Sequence, residues 1–429
     1  MLEKELYSKI RDFVISASKI LSTYVEGGER IPYTIVEKYK VKGPGSYSMT
    51  HEPQPLVESL ILNHEEELSN MSEFKICAKL MRLNGQVSIH LDKLVGFEGG
   101  SKFRNTLWGY LRYFLSPIFE NYLKNRKLDE ELLKKLYSAF EDFIIGNRIL
   151  IHDYAYLMNF DSDVDSIDIE KDLAIRKVAN EELQSLLQSS GRFPSMYSFT
   201  TLPIYAMDVT YSRRKVIGSE RKRQFPDSAE KLHILIIALR LFKPGIVGFN
   251  EISTAPETPF LWGSIRSGMA KKTFVGQKYH LKQEEIKQFK DFWKKFSSFY
   301  ASKPQHFAIA LRRFGSAYER TNPQDKLIDY MIAYEALFFK QGESGEFRHK
   351  LSTRVSRLLG KTYGERKAIA EEIRDFYDKR SKVVHGEKVE LPREFVGRVE
   401  RHLRDSMNAL MKLLTKQDHS RIIMNLDLS

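Results

Sequence analysis

Between Asn322 and Leu414 the chain carries four consecutive segments whose apolar residues recur at three- and four-residue spacing. This repetition restricts the fold more than any other feature. Asn322-Pro323 opens the first segment: Asn is a good N-cap, and Pro at the first helical position gives up only an N–H that has no intrahelical partner. Its apolar face is Leu327, Ile328, Met331, Ile332, Tyr334, Leu337 and Phe338. The second aligns Phe347, Leu351, Val355, Leu358 and Leu359 and stops at Gly360, which reads as a left-handed terminator. The third carries Ile369, Ile373, Phe376, Tyr377 and Val384. The fourth starts near Pro392 and repeats Phe395, Val399, Leu403, Met407, Leu410 and Leu414. Four amphipathic helices on short linkers bury their stripes together most simply as an antiparallel bundle.

Upstream the pattern changes. Residues 2–21 place Leu2, Leu6, Ile10, Phe13, Ala17 and Ile20 at helical spacing. Residues 74–91 read with a period of two. Phe74, Ile76, Ala78 and Leu80 are answered by Val87, Ile89 and Leu91 across Asn84-Gly85, a pair suited to the positive-φ positions of a hairpin turn. Helices are expected near 103–125 and 129–146, then a strand-and-helix passage in IDIEKDLAIRKVANEELQSLLQ. Beyond Phe225-Pro226-Asp227-Ser228 the sequence reads as nearly all helical, with further helices near 228–242 and 282–318 packed on the bundle. With 429 residues to divide, the expected class is α+β in at least two domains. A mixed α/β domain over 1–225, suited to a sensory or regulatory role, precedes a helical domain over 228–429 whose core bundle is 322–416.

The net charge of +12 is unevenly placed: residues 1–200 carry −4 and residues 201–429 carry +16. A basic half suits a polyanionic partner, usually nucleic acid, and equally suits plain solubility. Arg213, Arg214, Lys215, Arg221, Lys222 and Arg223 flank Gly218 near the junction and are candidates to grip RNA phosphates, the alternative being a solvated basic linker. Lys271, Lys272 and Lys278, interleaved with Phe274 and Tyr279, are a second RNA-contact candidate. The single cysteine, Cys77, excludes an intramolecular disulfide framework and a thiolate zinc site and fits a reducing cytoplasm. The longest strongly apolar run, His233 to Phe242, is about half the length of a membrane span and contains Arg240. MLEKELYSKIRDF has no signal-peptide core, so a cytoplasmic protein with no membrane partner is expected. Asp161, Asp163, Asp165 and Asp172 match positions of a calcium loop, but Ser166 stands where that loop needs Gly and Asp168 where it needs an aliphatic residue. An acidic loop is the better reading, and no metal or cofactor is expected. No phosphate-binding glycine loop, His-Glu-x-x-His or Gly-x-Ser-x-Gly occurs.

The third helical segment holds the chemistry. At about 100° per residue, Arg380 falls in the middle of the stripe formed by Ile369, Ile373 and Phe376. A guanidinium among core positions is costly unless something pairs with it. His385, followed by Gly386, would point about 140° away from Arg380 on a continuous helix. The two converge only if the helix unwinds near Val383–Gly386 or if a second subunit supplies the complementary group. The plainer alternative pairs Arg380 with a carboxylate such as Asp329 or Glu335 on the first helix.

DKLIDYMIAYEALFF, GEFRHKLSTRVSRLLG and IRDFYDKRSKVVHGE, in that order over 325–387, resemble the HEPN superfamily and within it the Apea-like group, with a weaker likeness in KLHILIIALRLFKPGIVG at 231–248. The resemblance implies a helical-bundle, metal-independent ribonuclease, a toxin or antiviral-defence effector that dimerises so that two motifs share one cleft. Its motif, an Arg, a polar residue, three or more further residues and then a His, is matched by Arg380, Ser381 and His385. RNA supplies its own nucleophile, the 2′-hydroxyl, so a protein need add only proton transfer and charge stabilisation. On this basis His385 is the general acid or base, Arg380 the phosphate and transition-state clamp, and Ser381 a positioning group. Glu387 stands where some relatives carry a modifiable Tyr, so that mode of control has no support. Glu335 and Arg354 read as a buried ion pair. The competing functions are a catalytically silent module that binds RNA or a partner protein, and a ligand-sensing regulator.

Overall fold

The computed structural model describes residues 4–31, 33–43, 46–98, 102–179, 182, 204–218, 228–249, 251–261, 265–268, 274, 276–340 and 342–428. Helix α1 (Lys4–Glu26) is the expected amphipathic opening and buries Leu6, Ile10, Phe13, Ala17 and Leu21. A hairpin of β1 (Tyr33–Gly43) and β2 (Ser46–Pro55) follows, then α2 (Val57–Asn63), α3 (Glu65–Asn70), α4 (Ser72–Leu83) and α5 (Gly85–Ser88).

The hairpin expected over 74–91 is therefore corrected to two helices. Helix α4 buries Phe74, Cys77, Ala78 and Met81, an i, i+3, i+4, i+7 set, and leaves Ile76 44% exposed. Asn84 adopts φ −70°, and its side chain accepts hydrogen bonds from the N–H groups of Gln86 (3.0 Å) and Val87 (3.1 Å). It caps α5 instead of making a turn.

Strands β3 (Leu94–Phe97) and β4 (Lys102–Arg104) lead to α6 (Leu107–Asn125) and α7 (Glu130–Ile145), both as expected. Next come β5 (Arg148–Met158), β6 (Phe160–Ser162), β7 (Ser166–Glu170), β8 (Leu173–Lys177) and β9 (Tyr205–Ile217). The helix expected after β8 lies outside the described residues. Helix α8 (Ser228–Phe242) precedes four more strands: β10 (Gly248–Phe249), β11 (Glu251–Pro256), β12 (Ile265–Gly268) and β13 (Tyr279–Leu281).

These short strands interrupt the nearly all-helical reading of the chain beyond 228. One antiparallel sheet runs β12-β11-β5-β9-β3-β4, with β10 added to β5 and the β7/β8 pair to β9. It takes strands from both sides of residue 225, so the expected boundary falls inside a sheet. The physical cause is visible along β5. Ile149 and Ile151 belong to one apolar cluster, with α1–α7, Phe260 and Leu261; Ala155 and Leu157 belong to a second that includes the C-terminal helices. Along one face of β5, upstream helices cover the first part and downstream helices the second.

The remaining chain is helical: α9 (Ile286–Ala301), α10 (Gln305–Ala317), α11 (Pro323–Phe338), α12 (Phe347–Leu359), α13 (Tyr363–Val384), α14 (Arg393–Leu414) and α15 (His419–Leu428). The fold is thus α+β with helices filling the C-terminal half. Asn322 caps α11 by accepting from Gln324 N–H at 2.8 Å, and Thr362 with Glu365 forms a capping box on α13. Gly360 ends α12 with extended φ −84°, ψ 128°, not in the left-handed conformation. A Cβ there would sit 2.9 Å from Arg366 N and Ser356 O, so crowding selects the glycine. Helices α13 and α14 run antiparallel, with Phe376 against Phe395 and Glu372 against Arg398 and His402. Among the described residues no helix is long and apolar enough to cross a membrane.

Candidate active site

Helix α13 is unbroken through Val384, so the unwinding that would bring Arg380 and His385 together does not occur. The chain instead closes in a Schellman motif. Gly386 takes φ +82°, its N–H donates to Val383 O (3.1 Å), and Glu387 N–H donates to Lys382 O (3.0 Å). His385 is the C-cap residue, exposed, with its own N–H donating to Ser381 O at 3.0 Å. A glycine is required here because the left-handed C′ position is strained for other residues.

Arg380 faces α11. Its Nη2 lies 3.5 Å from Glu335 Oε1, the side chains being 24% and 30% exposed. Arg380 Nε is buried and has no hydrogen-bond partner among the described residues. Burial raises the Glu335 carboxyl above its ordinary range, and the Arg380 charge only partly offsets this. Of the two carboxylates considered for Arg380, Glu335 takes it; Asp329 is held by Arg313 (3.0 Å) and Arg320 (2.9 Å).

The expected Glu335–Arg354 pair is corrected. Arg354, 3% exposed, donates to Glu343, Asp427 and Phe338 O through five hydrogen bonds of 2.6–2.9 Å. Other deep guanidinium groups are similarly occupied. Arg240 donates to Val247 O and Gly315 O over the Tyr318 ring, and Arg404 donates to Arg240 O, Tyr318 Oη and Glu400.

Around α13, Arg374, Asp378, Ser381 and His385 fall at i, i+4, i+7 and i+11 and so share one stripe. That stripe meets α12: Arg348 donates to Asp378 through two 2.6 Å bonds, and Arg374 Nε donates to Ser352 Oγ at 3.3 Å. Sequence reading missed the Arg348–Asp378 pair, although its spacing from Ser381 and His385 was available as a signal. One chain therefore presents His385 with Ser381 on one side of α13 and Arg380 with Glu335 on another.

The described residues of the junction cluster, Arg213, Arg214 and Lys215, do not form a single basic face. Arg213, Arg214 and Lys215 lie on β9, where successive side chains alternate between faces. Lys215 turns inward, its ammonium donating to Phe143 O (2.5 Å) and Ile144 O (3.0 Å) at the end of α7, and burial lowers it to about 8. It is a helix-end cation, not an RNA contact. Arg213 lies over the Tyr211 ring at 5.2 Å, and Arg214 alone of the three is exposed. Arg221, Lys222 and Arg223 lie outside the described residues, as do Lys271 and Lys272. The second RNA-contact candidate is corrected too: Phe274 and Tyr279 are buried and Lys278 pairs with Asp161 at 3.0 Å. The carboxylates of the acidic loop go to separate partners, Asp163 to His280, Asp165 to Lys177 and Asp172 to Lys231.

Compared with protein-family models, with curated proteins and with solved structures, the chain matches none.

Proposed function

We propose that this protein is a metal-independent endoribonuclease of the HEPN type, working as a homodimer. The observation that carries the reading is the state of Arg380. It holds no hydrogen bond among the described residues and only a 3.5 Å ion pair, to a carboxyl that burial pushes toward its neutral form. A guanidinium left this open on a rigid helix is suited to receive a phosphate. Beyond it, at the C-cap of the same helix, His385 is exposed.

The chemistry needs no further group. A base takes the proton of the 2′-hydroxyl, whose oxygen attacks phosphorus; the bond to the 5′-oxygen breaks, and an acid returns a proton to that oxygen. His385 serves as acid or base, Arg380 stabilises the charge that builds on the phosphate, and Ser381 orients one or the other. Because Arg380 and His385 diverge by about 140° around α13, two copies are needed to set an Arg380 and a His385 on one phosphate.

The test is total RNA incubated in EDTA with wild type and His385→Ala. Cleavage that persists in EDTA, needs His385, leaves a cyclic phosphate or its hydrolysis product, and spares DNA is the expected result. Cutting of DNA, or loss of activity in EDTA, overturns the mechanism. A second reading has its own support: the Glu335 contact already neutralises part of the Arg380 charge, as in a silent module that binds RNA or a partner protein. Binding of RNA with no cleavage under any condition selects it.

A further inference from the structure

The lysines of this chain are not evenly paired. Lys231, Lys243 and Lys278 each hold carboxylates at 2.5–3.0 Å. On α9, by contrast, Lys287, Lys290, Lys294 and Lys295 have no ion pair among the described residues, and neither have Lys412 and Lys416, which bracket the end of α14. Of the six, Lys294 and Lys295 line one cavity, where like charges repel unless an anion joins them. Between these two helices runs an open groove of about 900 Å³. Lys294 and Lys295 line it together with the hydroxyls of Ser298, Ser302 and Thr415, above a floor that includes Phe299; Asp291 is the one carboxylate among its described lining residues.

We infer that this groove is a docking track for the sugar–phosphate backbone of single-stranded RNA, separate from the site on α13. Lysines meet phosphates and hydroxyls meet phosphate and ribose oxygens, contacts that carry no sequence information of their own. Its place in the fold sets the length of RNA that benefits. Helices α13 and α14 are antiparallel, so the end of α14 lies at the opposite end of the bundle from His385. Twenty-two helical residues span about 33 Å, or about ten nucleotides at stacked spacing. An RNA must be at least that long to occupy both sites.

This inference rests on RNA being the partner, and it can fail separately from the nuclease reading. The experiment measures Kd by fluorescence anisotropy against salt concentration, with labelled 2′-O-methyl RNA of 6 and 20 nucleotides, which lacks the nucleophile. Wild type is compared with Lys294→Gln/Lys295→Gln, and thermal unfolding of both is recorded. For the 20-mer, the double variant is expected to bind about tenfold more weakly at low salt, with a log–log salt slope smaller by about 1.4, and to melt like wild type. Cleavage of unmodified RNA is scored in parallel with His385→Ala. A variant that binds the 20-mer with wild-type affinity and slope overturns the track even if cleavage depends on His385. A lost slope with no cleavage by any preparation keeps the track and removes the nuclease. A wild type that ignores the 20-mer but sediments with phosphatidylserine vesicles overturns the choice of RNA.

Discussion

Arg354 and Arg380 occupy neighbouring helices of one bundle, and the chain treats them in opposite ways. Arg354 lies where α12 meets α15 and the end of α11, and five hydrogen bonds use every face of its guanidinium. Arg380 lies between α13 and α11 with one long ion pair. Both are arginines on the inward side of amphipathic helices, so position does not separate them. Occupancy does. A guanidinium that the fold has saturated is structural; one left with unused donors has capacity for a ligand.

Breaking the saturated pocket has the largest expected effect. Arg354→Ala leaves Asp427 without its cation and Glu343 with only Lys350, at 3.3 Å, and should cost about 3–5 kcal/mol in urea unfolding, with α15 loosening first by hydrogen exchange. A loss below about 1 kcal/mol would dissolve the contrast.

Glu343→Gln is the gentler version, and its sign can be worked out. Hydrogen bonding to Arg354 holds the Glu343 carboxyl down to about 2, below its ordinary 4.5. A depressed carboxyl stabilises the fold above the unfolded value and loses that contribution as pH falls from about 4.5 to 2. The variant should therefore be less stable than wild type by about 1.5–3 kcal/mol at pH 7, and the difference should close in that acid window.

Glu335→Gln inverts the sign. Burial raises this carboxyl, so its proton is favoured in the fold, and the stabilisation available at low pH is lost as pH rises through the raised value. A neutral amide should leave stability unchanged or raise it by less than about 1 kcal/mol at pH 7. A loss resembling that of Glu343→Gln would mean that the 3.5 Å pair is as structural as the Arg354 pocket.

The smallest expected stability change is at Arg380. Arg380→Ala should melt within a few degrees of wild type, because the remaining Glu335 is 30% exposed and can be hydrated or protonated, yet RNA cleavage should vanish. Arg380→Lys, keeping charge without the fork, should recover little activity. Activity lost only in step with folding would return Arg380 to a structural role.

These contrasts explain what the sequence disclosed. Helix α11 was legible from Asn322-Pro323 and its stripe because caps and periodicity are local. Residues 74–91 misled because Phe74 and Ala78 satisfy both a period of two and a helical spacing, and only the burial of Cys77 and Met81 decides between them. Asn84 serves a hairpin or a helix start with the same side chain. The short strands β10 to β12 carry little pattern of their own; β5 offers an edge to β10 and β11, and β11 offers one to β12. At the site, Arg380 and His385 were visible as residue types, but the choice of Glu335 over Asp329 was not. It depends on where Arg313 and Arg320 arrive from α10 and the turn after it.

Strand β5 also dictates the order in which the chain can be made. Tyr154 pairs with Asp208 on one side and Ser253 on the other, the second about 100 residues further along. At ribosomal speeds of about 5–20 residues per second, one edge of β5 stays bare for about 5–20 s after the strand is translated. A bare edge is a template for any other extended segment, including the same strand on a neighbouring nascent chain. Expressed alone, residues 1–225 would keep that edge open permanently and are expected to self-associate through it.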